Sequence, residues 1–352
     1  MSLKDYWYIA AESRELRQKP LAVAPLGERM VLFRMGDGRV AALEDRCSHR
    51  NIALSQGTVA SGCVTCPYHG WSFDAAGRCV KIPSLGSCDR LPTHGVRAYP
   101  VREQAGYIWI YPGESIPESG PFEFPHEEER NWTTFRMRTR FAATVESCLE
   151  NFLDCPHTVY VHGGWFRNHD TKELSAIVRS TANSVEVEFR GEPITKSLVS
   201  QLFFPNGKEL RHTDRFLMPN ISRVDYDFGP DRHFIITSQC TPLSEFETDV
   251  FTVISFSFGR IAPLVRLLLE PICRKIIRQD VDILAAQTEQ VRRFRGAQFS
   301  HVQTDLLGLK IHSLRRRAER SEARSSEARL PEERSEETVE PAEQAREITI
   351  CF

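Results

Sequence analysis

No uninterrupted apolar run in the 352 residues approaches the roughly 20 that a membrane-spanning helix needs. The nearest, Ile261 to Pro271, is interrupted by two prolines and two charges and reads as a buried or interfacial helix. Charge of either sign is not in excess: the net value is −2, so no overall field draws the chain to nucleic acid. The opening Met1-Ser2-Leu3-Lys4-Asp5-Tyr6 lacks the apolar core of a secretory leader, and a cytoplasmic location is expected. Neither a Gly-x-Gly-x-x-Gly fingerprint nor a P-loop occurs, so nicotinamide or nucleotide binding by those devices is absent from this chain.

What is present fits a soluble protein with a sizeable core, at 41% hydrophobic and 26% charged residues. The length exceeds one ordinary domain, and two are expected. The chain also holds 10 Cys and 11 His. A disulfide framework is not expected in a chain of this size without a leader. The thiols are expected to be reduced, some binding metal and the rest serving as small core residues.

The first third reads as strands. Arg29–Arg34 and Val40–Glu44 flank Gly36-Asp37-Gly38, a hairpin signal, and Phe73–Val80 repeats the pattern. Gly106–Pro112 reads as a short buried strand. Pro112, Pro117, Pro121 and Pro125, with Gly113 and Gly120, then mark a boundary. After it come a helix over 142–153, four strand-like runs near 185–189, 215–218, 233–237 and 251–256, and a long helix over 270–293 with Pro271 in its first turn. The Arg315–Glu347 segment carries eight Arg and ten Glu, and the rest of the chain is balanced. That segment is either a solvated helix laced with ion pairs or a linker. The expected divisions are 1–115, 126–314, 315–347 and a short apolar terminus, 348–352, that docks as a strand.

Cys47-Ser48-His49 and Cys66-Pro67-Tyr68-His69-Gly70-Trp71 form a C-x-H…C-x-x-H pattern. Two thiolates and two imidazoles on two loops suit a [2Fe–2S] cluster, with Cys47 and Cys66 on one iron and His49 and His69 on the other. Structural zinc with Cys₂His₂ ligation is the alternative that residue types alone leave open. The unequal gaps, together with Tyr68, Gly70 and Trp71, resemble the Rieske ferredoxin fold. Cys63 completes a C-x-x-C with Cys66, but Cys66 belongs to the cluster pattern, so Cys63 reads as a packed residue. Arg50 and Gly70 follow the two histidines where respiratory Rieske proteins carry disulfide cysteines, so the loops resemble the oxygenase type.

A second constellation lies in Asn151–His162, where His157 and His162 are five apart. An ideal helix does not bring that pair together, and Pro156 is expected to break it so that both rings converge. A third ligand would complete a 2-His-1-carboxylate site for non-haem Fe(II). Asp280 shares an apolar helical face with Leu269, Ile272, Cys273, Ile276, Ile277, Leu284 and Gln287, whereas Asp282 points away. A carboxylate on such a face needs a partner, which favours Asp280.

The two constellations together resemble the catalytic α subunits of Rieske non-haem iron oxygenases over about residues 5–313. The resemblance implies an α+β chain: an N-terminal all-β Rieske [2Fe-2S] domain, then a helix-grip (START-like) catalytic domain with an antiparallel sheet and a long C-terminal helix. It implies a [2Fe–2S] cluster on Cys47, His49, Cys66 and His69, and Fe(II) on His157, His162 and Asp280. Asp154 would bridge His157 to a neighbour's His69, with a plain helix cap as the other reading, and Asn151 would lie near the iron. Electrons would come from a ferredoxin or flavin reductase drawing on NAD(P)H. Length and the Trp7-Tyr8-Ile9-Ala10 start look like the vanillate and dicamba O-demethylase group. That implies a head-to-tail homotrimer that hydroxylates or demethylates an apolar aromatic or polycyclic substrate with O₂. A ring-dihydroxylating dioxygenase and a non-catalytic electron carrier with a degenerate second site are the alternatives. Phe189, Phe203, Phe204, Phe216, Phe234, Phe251 and Phe256 are pocket candidates, more of them core than pocket. Arg211, Arg215 and Arg223 are equal candidates for a carboxylate clamp. Arg260–Arg278 reads as a core helix with snorkelling arginines, and membrane contact is not expected.

Overall fold

The computed structural model describes residues 2–85, 91–93, 95–163, 173–191, 210–229, 232–327 and 346–351. The chain divides into two compact units, Ser2–Glu123 and Phe124–Phe352.

The N-terminal unit is built from three small antiparallel sheets. One joins Tyr8–Glu12, Tyr107–Ile110 and Val101–Gln104; a second joins Leu21–Val23, Met30–Arg34, Val40–Glu44 and Ala98–Tyr99. The third joins Thr58–Ala60, Cys63–Thr65, Ser72–Phe73 and Cys79–Lys81. Val31, Phe33, Leu43, Leu54, Val64 and Phe73 form a core that also encloses Cys47 and Cys66. Each fully buried side chain of this kind stabilises by about 1.5–3 kcal/mol, so the loops carrying the two cysteines are anchored by burial.

The C-terminal unit is organised by an eight-stranded antiparallel sheet. Its order is Thr133–Phe141, Glu247–Ser257, His233–Ser244, Ile221–Asp227, Arg211–Leu217, Ser184–Arg190, Glu173–Ser180 and Arg346–Cys351. Six of these strands follow one another as a meander, and the first and last strands of the unit close the two edges. Ser184–Arg190 alternates partly and fully buried residues, as a sheet with one covered face requires.

Helix α1, Val145–Leu153, is capped by Thr144, whose hydroxyl accepts from the Ser147 N–H at 3.0 Å. It buries Val145, Cys148, Leu149 and Leu153 against Phe141, Val185, Val187 and Phe216. A one-turn helix α2, His157–Tyr160, follows Pro156. Helix α3 spans Ala262–Arg293, and α4 spans Gly308–Glu327. Leu284 of α3 and Ile311 of α4 join the same core as α1.

Three expectations need correction. Helix α3 starts at Ala262, not Glu270, so Pro263 occupies the first turn and Pro271 lies in the interior. Pro271 cannot donate to the carbonyl of Leu267, but Leu267 is 71% exposed and water can serve that carbonyl. The Arg260–Arg278 stretch is a core helix on one side only. Val265, Leu269 and Cys273 are buried, while Ile261, Leu264, Leu267 and Leu268 are exposed. Arg266 and Arg274 bind Glu270 from either side, four residues away, at 3.4 and 2.7 Å, where a snorkelling pose had been expected. Finally, the charged segment begins inside α4, and its first residue is buried: the Arg315 guanidinium meets Glu146 at 2.7 Å and donates to the Pro219 carbonyl at 3.0 Å. Residues 328–345 lie outside the described residues. Arg346–Cys351 pairs with Glu173–Val178. No helix among the described residues is long and apolar enough to cross a membrane.

Candidate metal centres

The two cysteine-bearing loops of the N-terminal unit share one construction. The Cys47 carbonyl accepts from Asn51 N–H at 2.9 Å, and the Cys47 N–H donates to Ile52 O at 2.9 Å. The Cys66 carbonyl accepts from Gly70 N–H at 3.1 Å, and the Cys66 N–H donates to Trp71 O at 2.8 Å. Asn51 and Gly70 both turn the chain with positive φ, at 61° and 72°. Gly70 is required twice over, because a Cβ there would stand 2.8 Å from Pro83 Cγ.

These loops set four donors together. Cys47 and Cys66 are buried, and the rings of His49 and His69 lie 4.6 Å apart at 61°. His49 is stacked on Trp71 at 4.6 Å and 2°. Burial raises the Cys47 thiol pKa, and the neighbouring Cys66 raises it further, against the backbone N–H groups of His49 and Arg50 that point at its sulfur. The Nδ1 of His49 is buried with no hydrogen-bond partner among the described residues. Two buried, mutually interacting thiols and an orphaned imidazole nitrogen on the same pair of loops fit a metal group between the loops. Cys63, half-buried, stands outside this set.

In the C-terminal unit, α1 stops at Asp154, two residues before Pro156. The helix is thus broken at Pro156, as expected, and α2 begins directly after it as a single turn, with the rings of His157 and His162 5.2 Å apart. Helix α3 brings Asp280 to them: its Oδ1 is 3.7 Å from His157 Nε2 and 3.2 Å from His162 Nε2. One ligand atom from each of the three lies within 4.8 Å of the others.

Each ligand atom is aimed by a neighbour. His162 Nδ1 is 3.0 Å from Gln279 Oε1, and His157 Nδ1 bonds the Asp154 carbonyl. Both acceptors put the proton on Nδ1 and leave the Nε2 lone pairs toward Asp280. Asn151 Nδ2 donates to Asp280 Oδ1 at 2.9 Å. Burial is the largest single influence on His162 and disfavours its charged form, but the hydrogen bond and charge of Asp280, together with Gln279, outweigh it and raise the imidazole pKa when no metal is bound. Asp280 is buried and Asp282 exposed, whereas Gln287, placed on the inner face by periodicity, is exposed and Thr288 is buried instead. A buried carboxylate facing two Nε2 atoms is the donor set of a 2-His-1-carboxylate iron site. Asp154 is the C-cap of α1, the plainer of its two expected roles, and its carboxylate accepts the His157 backbone N–H at 3.2 Å.

The clamp candidates fall on the wrong face. Arg211, Arg215 and Arg223 sit with Glu186 and Asp225 on the outer side of the sheet, where Arg215 pairs with Glu186 and Arg223 with Asp225 at 2.7 Å. The residue between two of them, His212, points inward with Asp214. Period-two alternation over Arg211–Leu217 was the available signal for this pair. Of the pocket candidates, Phe216, Phe251 and Phe256 are fully buried core, Phe189 lines a cavity, and Phe203 and Phe204 lie outside the described residues.

Residues 6–100 match the Rieske [2Fe-2S] domain, and residues 141–323 match the vanillate O-demethylase oxygenase C-terminal domain. The chain belongs to the Rieske non-haem iron oxygenases with the vanillate O-demethylase type of C-terminal domain. Among curated relatives, the 4β-methylsterol monooxygenase of Methylococcus capsulatus is 36% identical over 54% of this chain and 54% of its own length. The oxygenase component of dicamba O-demethylase from Stenotrophomonas maltophilia is 36% identical over 46% of this chain and 48% of its own. The chain thus spans about half the length of the curated relatives it matches. The crystal structure of dicamba monooxygenase bound to dicamba superposes with a TM-score of 0.79 at 25% identity, covering 92% of this chain and 99% of that one.

Proposed function

We propose that this chain is a terminal oxygenase that uses O₂ and electrons from a separate donor to hydroxylate or oxidatively demethylate an apolar aromatic or polycyclic substrate. The observation that carries the reading is the convergence of His157, His162 and Asp280 in a chain that also has a Rieske domain. In this reading Cys47, His49, Cys66 and His69 hold the [2Fe–2S] cluster, and the other three hold iron. When bound, the cluster supplies single electrons and the iron activates O₂.

The chain's own residues supply orientation and proton control. Gln279 and the Asp154 carbonyl keep both histidines in the Nδ1–H form, and Asn151 steadies Asp280. The Asp154 side chain is 38% exposed, which suits a carboxylate that reaches His69 of a second copy in a head-to-tail homotrimer. A ferredoxin or flavin reductase is the proposed electron donor. The substrate class is supported by the aromatic and sterol compounds named in the relatives. The test is a substrate screen with a surrogate reductase, read by mass spectrometry. Oxygenated or demethylated product that disappears in His157→Ala supports the reading, and product unchanged in that variant defeats it.

A further inference from the structure

Helix α3 buries one side of its first half and leaves the other bare. Val265, Leu269 and Cys273 pack with Phe135 and Phe256 of the two strands at one edge of the large sheet. On the opposite side Leu264, Leu267 and Leu268 are 63%, 71% and 51% exposed, and Ile261, just ahead of the helix, is 57% exposed. Residues 264, 267, 268 and 271 recur three and four apart, so the leucines stand side by side in a stripe that Pro271 continues. A lone exposed leucine on a soluble protein is ordinary, whereas a contiguous apolar stripe marks a contact surface.

Positive charge closes the stripe at both ends. Exposed Arg260 precedes it, and the same spacing carries it from Pro271 into exposed Arg274 and Arg278. Residues 260–278 hold five basic side chains and one acid, Glu270, which lies beside the stripe with Arg266 and Arg274 at 3.4 and 2.7 Å. This pattern selects among occupants. A second copy docking through the same face would set Arg260 against Arg274 and Arg278 in the antiparallel sense, and like against like in the parallel sense; charge repulsion opposes both. The acid-rich segment 328–345, outside the described residues, leads into the strand Arg346–Cys351 at the far edge of the sheet, roughly 34 Å from the edge that α3 covers. Leu264 and Asp280 are roughly 24 Å apart along α3, so the stripe is clear of the iron site and of Asp154. An apolar centre with basic flanks matches the layers of an anionic bilayer surface, acyl chains beneath phosphates.

We propose that the outward face of the first half of α3 is a peripheral binding surface for an anionic lipid bilayer, with Leu264, Leu267 and Leu268 entering the acyl boundary and Arg260, Arg274 and Arg278 on the phosphates. The attachment lies in the plane of the surface, since no helix among the described residues is long and apolar enough to cross. It runs against the expectation from the sequence, in which these leucines read as core. The inference does not depend on the oxygenase reading.

The test is flotation of the full-length chain with vesicles of phosphatidylcholine alone and of phosphatidylcholine mixed with phosphatidylglycerol, at low and at high salt. The wild type is expected to partition onto the mixed vesicles about tenfold more strongly than onto phosphatidylcholine alone, and to lose most of that difference at high salt. Leu267→Gln combined with Leu268→Gln should lower partitioning onto the mixed vesicles about tenfold. Arg260→Gln combined with Arg278→Gln should remove most of the preference for the anionic lipid and leave the weak binding to phosphatidylcholine as it was. An unchanged melting temperature shows that each variant is folded, and should one pair fail to fold, the other decides. A wild type that stays off the mixed vesicles overturns the proposal, as does wild-type partitioning in the leucine pair or an undiminished anionic preference in the arginine pair. A smaller assembly for the leucine pair in lipid-free sedimentation also overturns it, because the face is then an interface between copies.

Discussion

The two candidate metal-holding regions are assembled on opposite plans. Cys47, His49, Cys66 and His69 come from two neighbouring loops that hold their own shape through paired backbone hydrogen bonds. The triad His157, His162 and Asp280 has no such local frame. Asn151 and Asp280, which touch at 2.9 Å, are 129 positions apart. Their meeting depends on α1 and α3 being seated in the core. A locally built site should resist core damage elsewhere, and a globally built one should not.

The strongest break of the comparison is chemical. His157→Ala should abolish product formation while the visible spectrum of the cluster persists, and Cys66→Ser should remove the spectrum and labile sulfide while iron still binds the triad. Metal analysis that finds one zinc and no labile sulfide in the wild type would remove the contrast altogether. Next in size is Leu149→Ala, which empties part of the core under α1 and should cost about 2–5 kcal/mol of unfolding free energy. Triad iron should fall in that variant with labile sulfide unchanged; equal loss of both would contradict the local-versus-global distinction. Asp154→Asn should leave both metals loaded and slow reoxidation of the cluster by O₂ and substrate about 10–100-fold, by stopped-flow absorbance. Wild-type reoxidation in that variant would remove Asp154 from the electron route.

The smallest effect is a pH dependence. His312 of α4 is 2.8 Å from Glu150 of α1, and that hydrogen bond raises the imidazole pKa against the opposing effect of burial. A raised folded-state value means that the stabilisation is complete below the unfolded pKa of about 6.5 and fades as pH rises through the folded value. Denaturant melts should therefore show a modest loss of stability from pH 6 to pH 8. His312→Gln should flatten that loss, and an equal slope in the variant would assign it to another group.

Legibility in the sequence followed the same divide. The proposed cluster loops could be read because their candidate ligands lie close together in sequence and their turns are marked by Gly and Pro. Asp280 could be chosen over Asp282 because helical phase separates a buried from an exposed aspartate. The start of α3 was hidden by Pro263 and Pro271, which look like stops when the tertiary setting is unknown. The only mark of His212 and Asp214 in the sequence is period-two alternation, which buries them and turns Arg211 and Arg215 to the opposite face. The convergence of His157 with His162 could be read because Pro156 ends one helical run and opens the single turn that carries His157.

The meander between the two halves of the triad has a consequence for diversification. From Glu173 to Ser257 each described strand pairs with its sequential neighbour, so an insertion at a hairpin such as Thr181–Asn183 lengthens a loop without shifting any ladder. Doubling a loop costs only about 0.6 kcal/mol in closure entropy. The rim of the sheet can accumulate new sequence while α1 and α3 keep the ligands in place. A lineage with this layout can change what it recognises many times and keep one inherited reaction centre.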